Sequence, residues 1–419
     1  MNLVNSTGSQ LTPFRVRAVH CDYRAGDEEV YQALKNATAP LTQAWEKLRR
    51  AKRIAIKFNQ DFMPTWVVTY QGHRQQLVSD AVIRATLRLL REQTNAELFA
   101  IDVGVESLRL GEGRLAGALA LPILREFEVP LIDGHVDPVV WAPVPGGGGL
   151  FHSYPIPQSV AEADAVVSVQ KLKNHLFTGV TLCLKNLFGL LPIQPHGRPR
   201  PYYHHLVRLP YMLADLGQLF NPALNILDAT VCQAGEEWGP GDHPRLCNTL
   251  IAGDQVIATD ACATFLMGHD PQSDWLTPPF HRDRNALLIA AEHGFGTVDI
   301  NQINLQSEVE APIGEFFAKE IDPKETVISW RRTTAEQALF YQDHQKEIAA
   351  KYAGQYILLQ MNEVRWADPI GKISQSRRQL AGRHPEQGMW LKFVDPLETE
   401  GEHFEVYEAT LRQMDAMHL

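Results

Sequence analysis

Little in the 419-residue sequence points to a familiar chemical class. Cysteine is scarce: Cys21, Cys183, Cys232, Cys247 and Cys262 are the whole complement. The number is odd and no two stand as C-x-x-C, which suits neither a disulfide framework nor a structural zinc site. The close cysteine run of a ferredoxin is missing too, so the chain carries no intrinsic iron–sulfur motif. The expected state is buried free thiols in a reducing compartment. No stretch approaches the roughly 18 consecutive apolar residues of a membrane span. The opening MNLVNSTGSQLTPF has no basic segment leading into an apolar run, so no signal peptide is expected. These absences predict a cytoplasmic protein without a membrane partner. Basic residues are in deficit, 39 Lys and Arg against 49 Asp and Glu, a formal charge of −10. That argues against nucleic acid as the main partner, because phosphate binding needs a cationic excess. A local basic pocket is still compatible with it. The sequence has no H-E-x-x-H, no G-x-x-x-x-G-K-[ST], no G-x-G-x-x-G after a strand and no G-x-S-x-G. The glycines of 146–149 follow no clear strand and open no helix, so they read as a loop, and 110–114 (LGEGR) as a turn. There is no internal repeat and no low-complexity tract.

What is present is an alternation of short apolar strands and amphipathic helices. Strands are predicted over 15–20, 53–58 (RIAIKF), 97–103, 129–132, 165–169, 224–227 and 250–252. Helices are predicted over 27–50 with a break at Ala39-Pro40, from Ser79, and over 115–127, 178–190, 207–220 and 256–267. This pattern predicts an α/β fold, a mostly parallel sheet with helices on both faces. Residues 1–14 read as loose, 15–320 as the α/β core and 321–419 as a small C-terminal α/β lobe. In that lobe 334–352 reads as a charged helix, 355–361 and 389–394 as strands, and 404–417 as an amphipathic helix. Three connectors, 144–149, 194–201 and 236–244, are rich in turn-forming residues, as binding loops often are. A homodimer is the base-rate expectation for a cytoplasmic enzyme of this size.

In parallel sheets ligands sit beyond the carboxyl ends of the strands, so the polar residues just after each strand are the ones to weigh. The densest run is VVSVQKLKNHLFTGVTLCLKNLFGLLP, from Val166 onward. If the chain stays extended there, Lys171, Lys173 and His175 share one face. On the predicted helix that follows, Thr178, Thr181 and Lys185 fall within about 60° of one another, bordered by Asn186. Several ammonium groups in one place repel each other unless an anion neutralises them. A phosphate or carboxylate would do so, helped by the N-terminus of the helix starting near Thr178. A crowded, part-buried lysine also has a lowered pKa and can act as base or nucleophile. His175 and His204, with His196 and His205 nearby, form a His-rich set that suits a divalent transition metal such as zinc, iron, copper or nickel. Its carboxylate partners would come from Asp102, Asp228, Asp254 and Asp260, although Asp254 reads equally well as a helix cap. Adjacent His204 and His205 cannot easily face the same way, so one of the two is expected in the site.

The run KLKNHLFTGVTLCLKNLFGLLP closely resembles the signature of the "domain of unknown function 362" family: Lys-x-Lys-x-His, Gly-(Val/Leu)-Thr, Leu-Lys-Asn-Leu-Phe-Gly and a His beyond. A second block, LNILDATVCQAGEEWGPGD followed by IAGDQVIATDACATFLMGHDP, resembles its Asp-ending strand, Gly-Pro loop and Asp-bearing helix. IKFN, ending in Asn59, resembles the family's Lys-x-Asn. The resemblance covers about 50 to 275. It implies an α/β fold with a shared pocket and says little about the reaction. Many relatives carry a ferredoxin-like cysteine module that this chain lacks.

The expected function is therefore an enzyme for a small anionic metabolite. Lys173, His175, Lys185 and Asn186 would be catalytic, Lys57, Asn59, Lys171, Thr181, Asp228 and Asp260 ligand-binding, and His175 and His204 the metal ligands if one is bound. Two alternatives stand beside it. One is a redox partner related to the ferredoxin-bearing relatives, marked by bound iron–sulfur or flavin absorbance. The other is a metabolite-binding protein without turnover.

Overall fold

The computed structural model describes residues 14–60, 67–103, 118–193, 197–237, 242–370 and 389–419. The readings at 110–114 and at His196, and parts of those at 1–14, 115–127, 194–201 and 236–244, fall outside these residues.

The main sheet runs in the order Asn304–Ser307, Arg15–His20, His243–Gly253, Leu224–Ala234, Ala165–His175, Arg53–Phe58, Glu97–Asp102, Leu131–Asp133. The strands from Leu224–Ala234 to Leu131–Asp133 are all parallel. His243–Gly253 is antiparallel to both its neighbours. The fold is thus α/β with a mixed, mostly parallel sheet. Alternation sends Ile54, Ile56, Val167, Val169 and Ile226 to one face, against Asp27–Thr38, Thr42–Arg50 and Asp80–Gln93. Ala55, Phe99, Ile101 and Val166 go to the other face, against Arg208–Phe220, Val256–Leu266 and Ala286–Glu292. Arg53–Phe58 lies in the middle of the parallel set. The chain builds outward from it through Glu97–Asp102 and Leu131–Asp133, then returns to its other side as Ala165–His175. The order reverses between Arg53–Phe58 and Ala165–His175, and a crevice opens at the carboxyl ends of such a pair.

Several elements differ from expectation. Residues 178–190 are not one helix. Gly179–Thr181 is a strand folded back on Ala165–His175, Cys183–Asn186 is a single helical turn, and Leu187–Leu190 is a 3-10 turn. Gly179 has φ +72°, and a Cβ there would lie 2.8 Å from the Phe280 ring and 2.9 Å from the Pro279 carbonyl. The turn therefore needs glycine, and β-branched Thr178, Val180 and Thr181 suit the hairpin better than a helix. Three strands extend further than predicted: Ala165–His175, Leu224–Ala234 and His243–Gly253. Their extra residues include Lys171, Lys173, Asn174 and Gln233, which are polar yet buried. The predicted helix at 334–352 begins earlier, as Lys324–Asp343, and continues past a break as Gln345–Tyr352. Of 115–127, the described part forms a 3-10 turn, Ala118–Ala120, and a short helix, Leu121–Glu126.

Beyond residue 321 a three-stranded antiparallel sheet forms, ordered Glu363–Asp368, Tyr356–Gln360, Trp390–Phe393. Its apolar residues Ile357, Leu359 and Trp390 belong to the same buried cluster as Phe151, Tyr202 and Leu213 of the larger sheet's layer. Arg208 joins the two parts, 2.9 Å from the Glu402 carboxylate and donating at 2.9 Å to the Leu391 carbonyl. The glycine loop at 144–149 wraps an internal acid: the amides of Gly149, Leu150 and Phe151 donate to Asp215. All five cysteines are free and buried. Among the described residues no helix is long and apolar enough to cross a membrane.

Candidate functional site

Four lysines surround the carboxyl ends of Arg53–Phe58 and Ala165–His175, and three of them are buried against a carboxylate. Lys57 Nζ lies 3.0 Å from Asp102 and donates to the Phe58 carbonyl at 2.8 Å. A Cβ on Gly189 would stand 2.3 Å from Lys57 Cε, so the final glycine of the Leu-Lys-Asn-Leu-Phe-Gly run leaves room for this pair. Lys171 Nζ lies 2.8 Å from Asp228, which also accepts from the Ser79 amide and the Thr230 hydroxyl. Burial works to raise the Asp228 carboxyl, but Lys171 and the other donors overcome it and hold the group below the usual carboxylate range.

Lys173 Nζ donates to the Gln76 carbonyl at 2.8 Å and lies 2.5 Å from Glu237. Glu237 also accepts from His175 Nε2 at 3.0 Å and from the Thr181 hydroxyl at 3.4 Å. The Leu224–Ala234 strand delivers it. Its register against Ala165–His175 shifts between Asp228 and Gln233, and such an irregularity re-aims a strand end. Glu237 takes φ +96°, a left-handed conformation uncommon for a side-chain-bearing residue. Burial opposes ionisation of Glu237, yet Lys173 and His175 hold it far below the ordinary range. His175 Nδ1 accepts from the amides of Phe177 at 2.9 Å and Thr178 at 3.3 Å, so its proton sits on Nε2 toward Glu237. Burial lowers its pKa, with Glu237 opposing.

Lys185 differs from the other three. It is partly exposed. Its Nζ sits 4.8 Å over the Phe188 ring, and among the described residues it makes no ion pair. Burial of its ammonium and repulsion from Arg200 push it down to about 7. Arg200 lies over the same ring at 5.1 Å, and His204 meets it edge-on at 4.4 Å. Both His204 ring nitrogens are buried with no hydrogen-bond partner among the described residues. Burial, Arg200 and Lys185 together hold His204 well below the ordinary histidine value. His205 turns instead toward its own neighbour, the Leu206 carbonyl.

Of the remaining expected residues, Asn186, Asp260 and Asp254 have structural partners. Asn186 donates to Ser168 Oγ and to the carbonyls of Lys57 and Val169, clamping the two strands where the order reverses. Asp260 caps the Cys183–Asn186 turn, accepting from the Cys183 and Leu184 amides at 3.0 and 2.7 Å. That helical N-terminus, expected near Thr178 and open to a ligand, is four residues long and held by Asp260. Burial drives Asp260 up to about 8, against those two amides. Asp254 accepts from the Arg15 amide, and the adjacent helix cap is Gln255. Asn59 Oδ1 is buried without a partner among the described residues. Among the described residues no group of three or more His, Cys, Asp or Glu side chains is placed to hold an ion. Glu237 was missed from sequence. The available signal was a surplus of cations at 171–185 that needed a counter-charge.

The thylakoid-associated protein of Synechocystis sp. (strain ATCC 27184 / PCC 6803 / Kazusa) is 24% identical over 259 residues, covering 59% of this chain and 73% of that one. Among solved structures, the lactate racemase apoprotein from Thermoanaerobacterium thermosaccharolyticum aligns over 55% of this chain. The match spans about half of that protein (53%), with a TM-score of 0.31 and 13% identity, a likeness too slight to carry an argument. The family described as "Domain of unknown function (DUF362)" matches residues 54–265, which hold every residue of the site just described. The chain belongs to this family.

Proposed function

We propose that the chain is an enzyme acting on a small anionic metabolite, a carboxylate or phosphate, held by Lys185 and Arg200 beside His204. The observation that carries this is the contrast among the four lysines. Lys57, Lys171 and Lys173 are buried and matched by Asp102, Asp228 and Glu237. Lys185 is partly exposed, stands near a guanidinium and has no matching acid among the described residues. A desolvated cation in that position is stabilised by a charge-assisted contact with an anion.

The same groups suit proton transfer. His204 is held neutral and has both ring nitrogens available among the described residues, so it can take a proton. Lys185 changes charge near neutrality, as acid–base groups must. Lys173, His175 and Thr181 fix Glu237, whose charge opposes the lowering at Lys185. Lys57, Lys171 and Asn186 stiffen the strand ends that carry the site. No step in this reading passes through a metal.

Thermal unfolding of the full chain, titrated with inorganic phosphate and with acetate, tests it. The wild type is expected to gain stability with each anion. Lys185→Met is expected to keep the fold and lose the gain. An equal gain in Lys185→Met contradicts the assignment.

A further inference from the structure

Lys185, Arg200 and His204 converge on the ring of Phe188. That aromatic face attracts the Lys185 ammonium weakly but supplies it no full counter-charge. The geometry has a chemical consequence. Lys57, Lys171 and Lys173 are each held against a carboxylate, which leaves them no access to a substrate carbonyl. Lys185 meets no carboxylate among the described residues, and it is partly exposed. A lysine desolvated beside another cation is a known route to a nucleophilic amine.

We propose that Lys185 condenses with the carbonyl group of a small oxo acid to form an imine, the acid's carboxylate being held by Arg200. This inference rests on the anion-site reading and adds to it a bond-forming step and a substrate class. The neutral amine's lone pair attacks the carbonyl carbon. A C–N bond forms as the C=O π pair moves to oxygen, and His204 carries one N–H proton to that oxygen, giving a neutral carbinolamine. His204 then carries the second N–H proton to the hydroxyl as the nitrogen lone pair forms the C=N bond and the C–O bond breaks, releasing water. The sum is amine plus carbonyl giving imine plus water, and neither oxidant nor reductant is needed. The lowering of Lys185 to about 7 keeps a substantial neutral fraction near neutral pH, consistent with this role.

Pyruvate with sodium cyanoborohydride is the probe, because hydride addition turns an imine into a stable secondary amine. The full-length protein is treated, digested and mapped by mass spectrometry. The expected result is one reduced pyruvate on Lys185, formed well ahead of any surface lysine. Lys185→Arg keeps the charge and should give no adduct at this position. His204→Gln should slow adduct formation by about a hundredfold, with unchanged circular dichroism. Modification spread over surface lysines, with none preferred at Lys185, overturns the inference. Acetate binding by the wild type separates the two readings. If acetate binds and no Lys185 adduct forms, imine formation alone fails. If neither occurs, the anion site fails with it.

Discussion

Glu237 reaches back across the sheet to lie 2.5 Å from Lys173, although the two residues come from different strand ends. The contact depends on the shifted register of Leu224–Ala234 and on the left-handed backbone at Glu237. It supplies the counter-charge that lets Lys173 and His175 be buried together.

Removing that charge should therefore cost stability before it changes anything else. Glu237→Gln leaves Lys173 buried without an anion, a loss of about 3–5 kcal/mol. Chemical denaturation checks this. The double variant Lys173→Met/Glu237→Leu is expected to lie closer to wild type than the single one. A single variant of wild-type stability would remove Glu237 from the account.

Gly189→Ala places a methyl group against Lys57 and Asp102. The backbone or the pair must shift, at about 1–3 kcal/mol. A melting temperature unchanged from wild type would mean that the pair accommodates the methyl freely.

Asp260 makes a pH-dependent contribution with a definite sign. Its folded-state pKa, about 8, lies above its unfolded value. The stability it contributes is complete below about pH 4 and is lost as pH rises through about 8. Asp260→Asn cannot ionise, so its stability relative to wild type should increase across that window. Comparing the two proteins at each pH cancels the opposing contributions of His175, His204 and Lys185. A difference independent of pH contradicts the assignment.

Arg208 is completely buried between the two sheets and meets Glu402 at 2.9 Å. Arg208→Met strands the Glu402 charge beside Lys392 alone. A loss of about 3–5 kcal/mol is expected. Because the buried cluster is continuous, one unfolding transition should report both sheets. Two separated transitions in the wild type would show that the C-terminal sheet folds on its own.

Much of this arrangement could be read from the sequence. Arg53–Phe58 is a short apolar run buried on both faces and Asp80–Gln93 an amphipathic helix, and the bounds of both agree with expectation. Lys171, Lys173 and His175 were legible as one face of an extended strand because the period of two is local. The hairpin at Gly179 was not, since Val180, Leu184 and Leu187 fall at helical spacing and the packing of Phe280 that excludes a side chain lies a hundred residues away. Glu237 stayed hidden because an acid among turn-forming residues reads as solvated. The partners of Lys57 and Lys171 were legible only as candidates. Which carboxylate meets which lysine is set by register, and that none among the described residues meets Lys185 is legible only from the fold.

The central claim is that Lys185 has no carboxylate partner among the described residues. It is tested most directly by following the Lys185 Cε resonance with pH in protein labelled with ¹³C-lysine, assigned by its loss in Lys185→Met. A midpoint at about 7 is expected, moving upward when acetate or phosphate is added. A midpoint near about 10.4, the ordinary lysine value, unmoved by either anion, would contradict the account.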